Sequence, residues 1–64
     1  MRIDRVKLIT EMARADVNTN KLAEKSGLSR ATVTAIKTGK SCTEATGIKL
    51  AAGLGVPLSA ILQE

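Results

Sequence analysis

The chain has 64 residues, 44% of them hydrophobic and none aromatic, with a net charge of +4 and an isoelectric point near 9.7. A length of this order allows one domain with a modest core, built here from Leu, Ile, Val, Met and Ala alone, and the missing aromatics exclude the stacking platforms that most RNA and single-strand binders use. Histidine is absent, which excludes a zinc site or a histidine-based catalytic pair, and the single cysteine, Cys42, excludes an internal disulfide and fits a reduced compartment.

A small basic domain is drawn to polyanions, chiefly nucleic acid or an acidic membrane surface. A charge of +4 reads equally well as ordinary solubilising charge, so its location matters more than its sum. No apolar run approaches the length of a membrane span and no signal-peptide pattern is present, so a cytoplasmic protein that binds no membrane is expected.

The first helix is predicted from Arg2 to about Asp16. Ile3, Val6, Ile9, Met12 and Ala13 recur at three- and four-residue steps and form its expected buried face, with Leu8 at the edge and Arg5, Lys7, Glu11 and Arg14 on the other side. Asp4 suits the positive end of the helix dipole and Arg14 the negative end. Val17 plugs the core as the chain turns.

Asn18 is the expected N-cap of the second helix, with Thr19 first in it and Lys25 or Ser26 last. Gly27 makes a tight turn and Leu28 tucks inward. Ser29 caps the third helix, which runs from Arg30 to about Thr38, and Gly39 stops it because glycine tolerates the left-handed conformation that closes many helices. Thr32, Val33, Thr34 and Ile36 lower the intrinsic propensity of this segment, so packing must hold it. Gly39 to Cys42 is a loop. Thr43 caps a fourth helix that continues to about Leu54, with Ile48, Leu50, Ala51 and Leu54 facing the core. Gly55 ends it, and Val56-Pro57 opens a last short helix with Leu58, Ile61 and Leu62 as its apolar side.

Two short helices joined at a steep angle by a glycine turn form a helix-turn-helix, whose second helix can enter the major groove of DNA. The residues Leu22-Ala23-Glu24-Lys25, Gly27-Leu28-Ser29, Val33 with Ile36, Gly39-Lys40 and Leu50 to Val56 resemble, in order and spacing, the lambda-repressor-like, Cro/CI-type (XRE) helix-turn-helix family. The likeness runs from about Val6 to Leu62. It implies an all-α, compact five-helix lambda-repressor-like domain over residues 1–64, with the helix-turn-helix at helices 2 and 3.

The third helix carries the groups that groove insertion needs. Val33 and Ile36 lie on one side, while Arg30, Ala31, Thr34 and Ala35 lie on or near the other. Arg30 is the best candidate for base recognition, since its guanidinium can donate two hydrogen bonds to guanine O6 and N7. A phosphate contact or a solvated charge is the plainer alternative. Ala31 and Ala35 are short enough to approach thymine methyl groups, and Thr34 can do either. By resemblance, Thr19 at the start of the second helix contacts a phosphate, and Thr38, Lys40 and Ser41 do so after the third. Lys37 can add another, though a solvated lysine is the simpler reading. Lys37 also departs from the family, where a glutamate is common and pairs with an arginine near the place of Met12; both partners are absent here together, so no charge is stranded. Gly47 stands where a leucine is frequent, and Ile48 is expected to compensate.

No catalytic residue is expected: Glu11, Asp16, Glu24 and Glu64 fall on different elements with no histidine or metal-ligand pattern. No cofactor and no small-molecule ligand is expected either. The resemblance implies a Cro-like repressor, from a phage or other mobile element, that binds a double-stranded operator as a homodimer, formed before or only upon DNA binding. The surface of helices four and five around Leu58, Ile61 and Leu62 is the candidate dimer contact. An antitoxin or another protein-binding module on the same fold is the alternative.

Overall fold

The computed structural model describes residues 1–63; Glu64 lies outside them. Four helices form in order: α1 (Arg5–Ala15), α2 (Thr19–Ser26), α3 (Arg30–Lys37) and α4 (Glu44–Leu54). The expected fifth helix is only a 3-10 turn, Leu58–Ala60. Pro57 holds an extended backbone before that turn, and Ile61 at φ −122° leaves helical geometry directly after it. There the chain pairs with the N-terminal segment instead. Ile3 and Leu62 form an antiparallel bridge, Asp4 N–H donates to Ile61 O at 2.8 Å, and Gln63 N–H donates to Arg2 O at 3.1 Å. Cys42 N–H donates to Met1 O at 3.0 Å, so residues 1 to 4 run extended between two loops.

Each helix starts on a side-chain cap. Asn18, Ser29 and Thr43 accept from Lys21, Thr32 and Thr46 N–H, as their places in the sequence predict. Asp4 is the fourth cap, accepting from Val6 and Lys7 N–H, and this moves the start of α1 from the expected Arg2 to Arg5. The helices also end alike. Asp16, Gly27, Gly39 and Gly55 all have positive φ. In each case two backbone bonds fold the last carbonyls back, as Lys40 N–H to Ala35 O at 3.1 Å and Gly39 N–H to Ile36 O at 3.0 Å do for α3.

The core is aliphatic, with Leu8, Leu22, Val33, Ile36, Leu50 and Ile61 fully buried. Two faces differ from expectation. On α1 the buried residues are Leu8 and Met12, while Val6 and Ile9 are 74% and 52% exposed and Ala13 is exposed too. The expected stripe took its phase from Ile3. Ile3 is buried, but it reaches the core from extended backbone ahead of the cap, so its position does not set the phase of the helix. On α4, Ile48 is 50% exposed and does not compensate for Gly47. Gly47 is itself buried: an added Cβ would lie 2.8 Å from Met1 Sδ and 3.3 Å from Leu58 Cδ1, so neighbouring side chains already fill the space of a larger residue.

Gly53 serves a different end. A Cβ there would sit 2.9 Å from Ser26 Cβ and 3.0 Å from Ser26 N, so α2 and α4 cross almost backbone to backbone. Ser26 is buried at this crossing, and its hydroxyl donates to Leu22 O at 2.7 Å. That contact clamps the end of α2, and the Gly27 turn that follows it aims α3.

Candidate nucleic-acid interface

Helix α3 is two turns long and has two sharply different sides. Val33 and Ile36 are buried under it. Arg30, Ala31 and Thr34 are exposed, and Ala35 is half-buried. These four residues, together with Thr38 and Lys40, line one open depression on the surface. All four base-contact candidates and two of the phosphate candidates therefore share a single concave strip. Its floor is made of small side chains, which lets another surface approach the helix closely, and Arg30 and Lys40 supply its positive charge.

The cap of α3 is doubly tied. Ser29 Oγ accepts from Thr32 N–H at 3.1 Å and lies 2.8 Å from Thr32 Oγ1. This holds the first turn, from which Arg30 and Ala31 project. At the other end, Thr38 Oγ1 donates to Ala35 O at 2.7 Å, which commits its hydroxyl proton within the turn. The same turn carries a second signature. Val17, Leu28 and Val56, the residues that follow the closing position of α1, α2 and α4, pack on the core. Lys40 holds the equivalent place after α3 and is exposed. A hydrophobic contact usually accompanies this kind of helix end, so a lysine here gives up packing and places a cation at the rim of the depression.

Thr19 and Lys37 lie together outside that strip. Lys37 Nζ donates to Thr19 Oγ1 at 2.7 Å, linking α3 to the first residue of α2. The hydroxyl accepts from the ammonium, so its own proton is left to donate outward, and two ammonium protons remain as well. The pair thus presents a compact set of donors with a positive charge, which is what a phosphate oxygen requires. Ser41 is exposed in the following loop and does not line the depression. Arg14 pairs with Glu11 at 3.4 Å. Arg5, Arg30, Lys37 and Lys40 have no carboxylate partner among the described residues.

Arg5 is the residue that sequence reasoning passed over. The sequence places it on the solvent side of the first helix, and it is exposed there. Its side chain also lies against Gly39, with Cδ 3.6 Å and Nε 3.9 Å from where a Cβ of that glycine would stand. Nothing in the local pattern signals this, because the two positions meet only through the tertiary fold.

An all-helical domain with a capped, two-faced helix held out by a glycine turn is a helix-turn-helix. A helix-turn-helix family model matches residues 11–61, most of the chain. The chain belongs to the Cro/CI-type (XRE) helix-turn-helix family, a class of DNA-binding regulators. No curated protein and no solved structure matches it.

Proposed function

We propose that this protein is a sequence-specific, double-stranded DNA-binding transcriptional repressor of the Cro/CI type. It binds an operator as a homodimer, with α3 of each copy in successive major grooves roughly 34 Å apart. The observation that carries this reading is the convergence of Arg30, Ala31, Thr34, Ala35, Thr38 and Lys40 on one open strip along α3. Arg30 reads base edges, Ala31, Thr34 and Ala35 fit the groove floor, and Lys40 with the Thr19–Lys37 pair grips phosphates on either side. Phosphate grip fixes position and base contacts fix sequence, and the arrangement separates the two.

Selection of bound sequences from a random duplex pool tests this, followed by titration of the selected and random duplexes at two salt concentrations. A palindromic consensus is expected, with affinity falling steeply in salt and a selected-to-random ratio of about a thousandfold or more. Weak binding with no preference would instead fit a protein-binding module on the same fold. The domain runs over residues 1–64 in this reading, acts without a cofactor and catalyses no reaction.

A further inference from the structure

A second depression borders the interface. Arg2, Asp4, Arg5, Val6, Gly39 and Gln63 are among the residues that line it. Residues 38 to 40 form the wall between the two hollows: Thr38 and Lys40 line the one on α3, and Gly39 lines the other. The Asp4 carboxylate is engaged with Val6 and Lys7 N–H and makes no ion pair with Arg5. Two arginines thus frame a hollow one residue from Lys40, and neither makes an ion pair with a carboxylate among the described residues.

The geometry points to a third DNA-backbone anchor at Arg5, assisted by Arg2, that takes a phosphate beyond the one held at Lys40. The inference rests on the DNA-binding reading above and extends its contact from the helix-turn-helix to α1. Successive phosphates of one strand lie only about 3.4 Å apart along the duplex axis. A strand that passes Lys40 therefore presents its next phosphates over the Gly39 wall, where the Arg5 guanidinium stands. Arginine suits this task because its planar fork can bind phosphate through two parallel bonds. The Arg5 stem lies at ordinary contact distance from Gly39, which places the guanidinium beside that wall.

The test is the salt dependence of affinity for a fluorescent duplex of the selected sequence, measured for wild type, Arg5→Ala, Arg5→Lys, Lys40→Ala and Arg14→Ala. Arg14 is exposed and paired with Glu11, and so serves as the charge-loss control. Each substitution removes two phosphate contacts from the homodimer, one per copy, which lowers the log–log slope by about 1.8 and weakens binding roughly 25- to 100-fold at 0.1 M salt. Arg5→Ala and Lys40→Ala should each show this loss with base preference intact, Arg5→Lys should keep most of the slope, and Arg14→Ala should match wild type. If Lys40→Ala loses slope and Arg5→Ala does not, the anchor at Arg5 is refuted while the major-groove reading stands. A weakened Arg5→Ala with a lower melting temperature and an unchanged slope would also refute it, since that is the mark of mere support for the Gly39 turn. If wild type shows no selective binding at all, the DNA-binding reading fails and takes this anchor with it.

Discussion

Arg30 and Lys40 carry the same charge and flank the same hollow, yet the account gives them opposite tasks. Arg30 projects from the first turn of α3, whose cap is pinned by Ser29 and Thr32. A guanidinium held there can meet a guanine edge in one register, worth about 1–3 kcal/mol of discrimination. Lys40 lies past the helix end on an ammonium stem, a point charge that no base edge selects. Arg30→Ala should therefore relax preference at one or two base pairs in a repeat of the sequence selection. Lys40→Ala should weaken every duplex alike and lower the salt slope by about 1.8, one phosphate contact being lost from each copy of the dimer. Identical behaviour of the two variants on all sequences would contradict the division. Lys37 shows how a residue's sequence position and its surroundings inform differently. Its charge and its departure from the family glutamate were readable, but its bond to Thr19 across two helices was not.

The four helices were readable because their ends are chemically explicit. Asn18, Ser29 and Thr43 cap, and Gly27, Gly39 and Gly55 close, all through interactions within a few residues. What local pattern could not settle is which of two faces on α1 is buried. Val6-Ile9-Ala13 and Leu8-Met12 both repeat at helical spacing, and the choice fell to contacts from distant elements. The last element fails as a helix for a similar reason, since pairing of Ile3 with Leu62 claims the backbone that a helix would need. Glycine is a weak helix former, and the structure gives the two glycines inside α4 separate uses. Alanine at either position gains up to about 1 kcal/mol of intrinsic propensity. At Gly53 the new Cβ would press on the Ser26 backbone, which cannot yield without moving α2. Gly53→Ala should thus cost about 1–3 kcal/mol net despite that gain. At Gly47 the nearest atom is the flexible end of Met1, so Gly47→Ala should stay within about 1 kcal/mol of wild type. Thermal melting followed by helical circular dichroism compares the two, and equal losses would argue against a special crossing at Ser26.

The molecule as a whole is small for a stable dimer. Its accessible surface is 3899 Å², and a durable interface takes roughly 600–1000 Å² from each partner. The surface expected to supply it is largely spent inside the monomer: Ile61 is fully buried, and Leu58 and Leu62 are half-buried against the core. The exposed large hydrophobics, Met1, Val6, Ile9 and Ile48, are divided between the N-terminal segment, α1 and α4. No helix among the described residues is long and apolar enough to cross a membrane. For the proposed homodimer, this predicts weak association that the duplex completes by bringing two copies together. Sedimentation should find a monomer at micromolar concentration and a two-to-one complex on the palindromic duplex. A tight dimer without DNA would require an interface other than those considered.

An amide chemical-shift titration with the selected duplex locates the contact itself. The account predicts the largest changes at Arg30, Ala31, Thr34, Ala35, Thr38 and Lys40, with a second group at Thr19 and Lys37 and little change along the exposed side of α4. Changes concentrated on α4, with α3 silent, would contradict it.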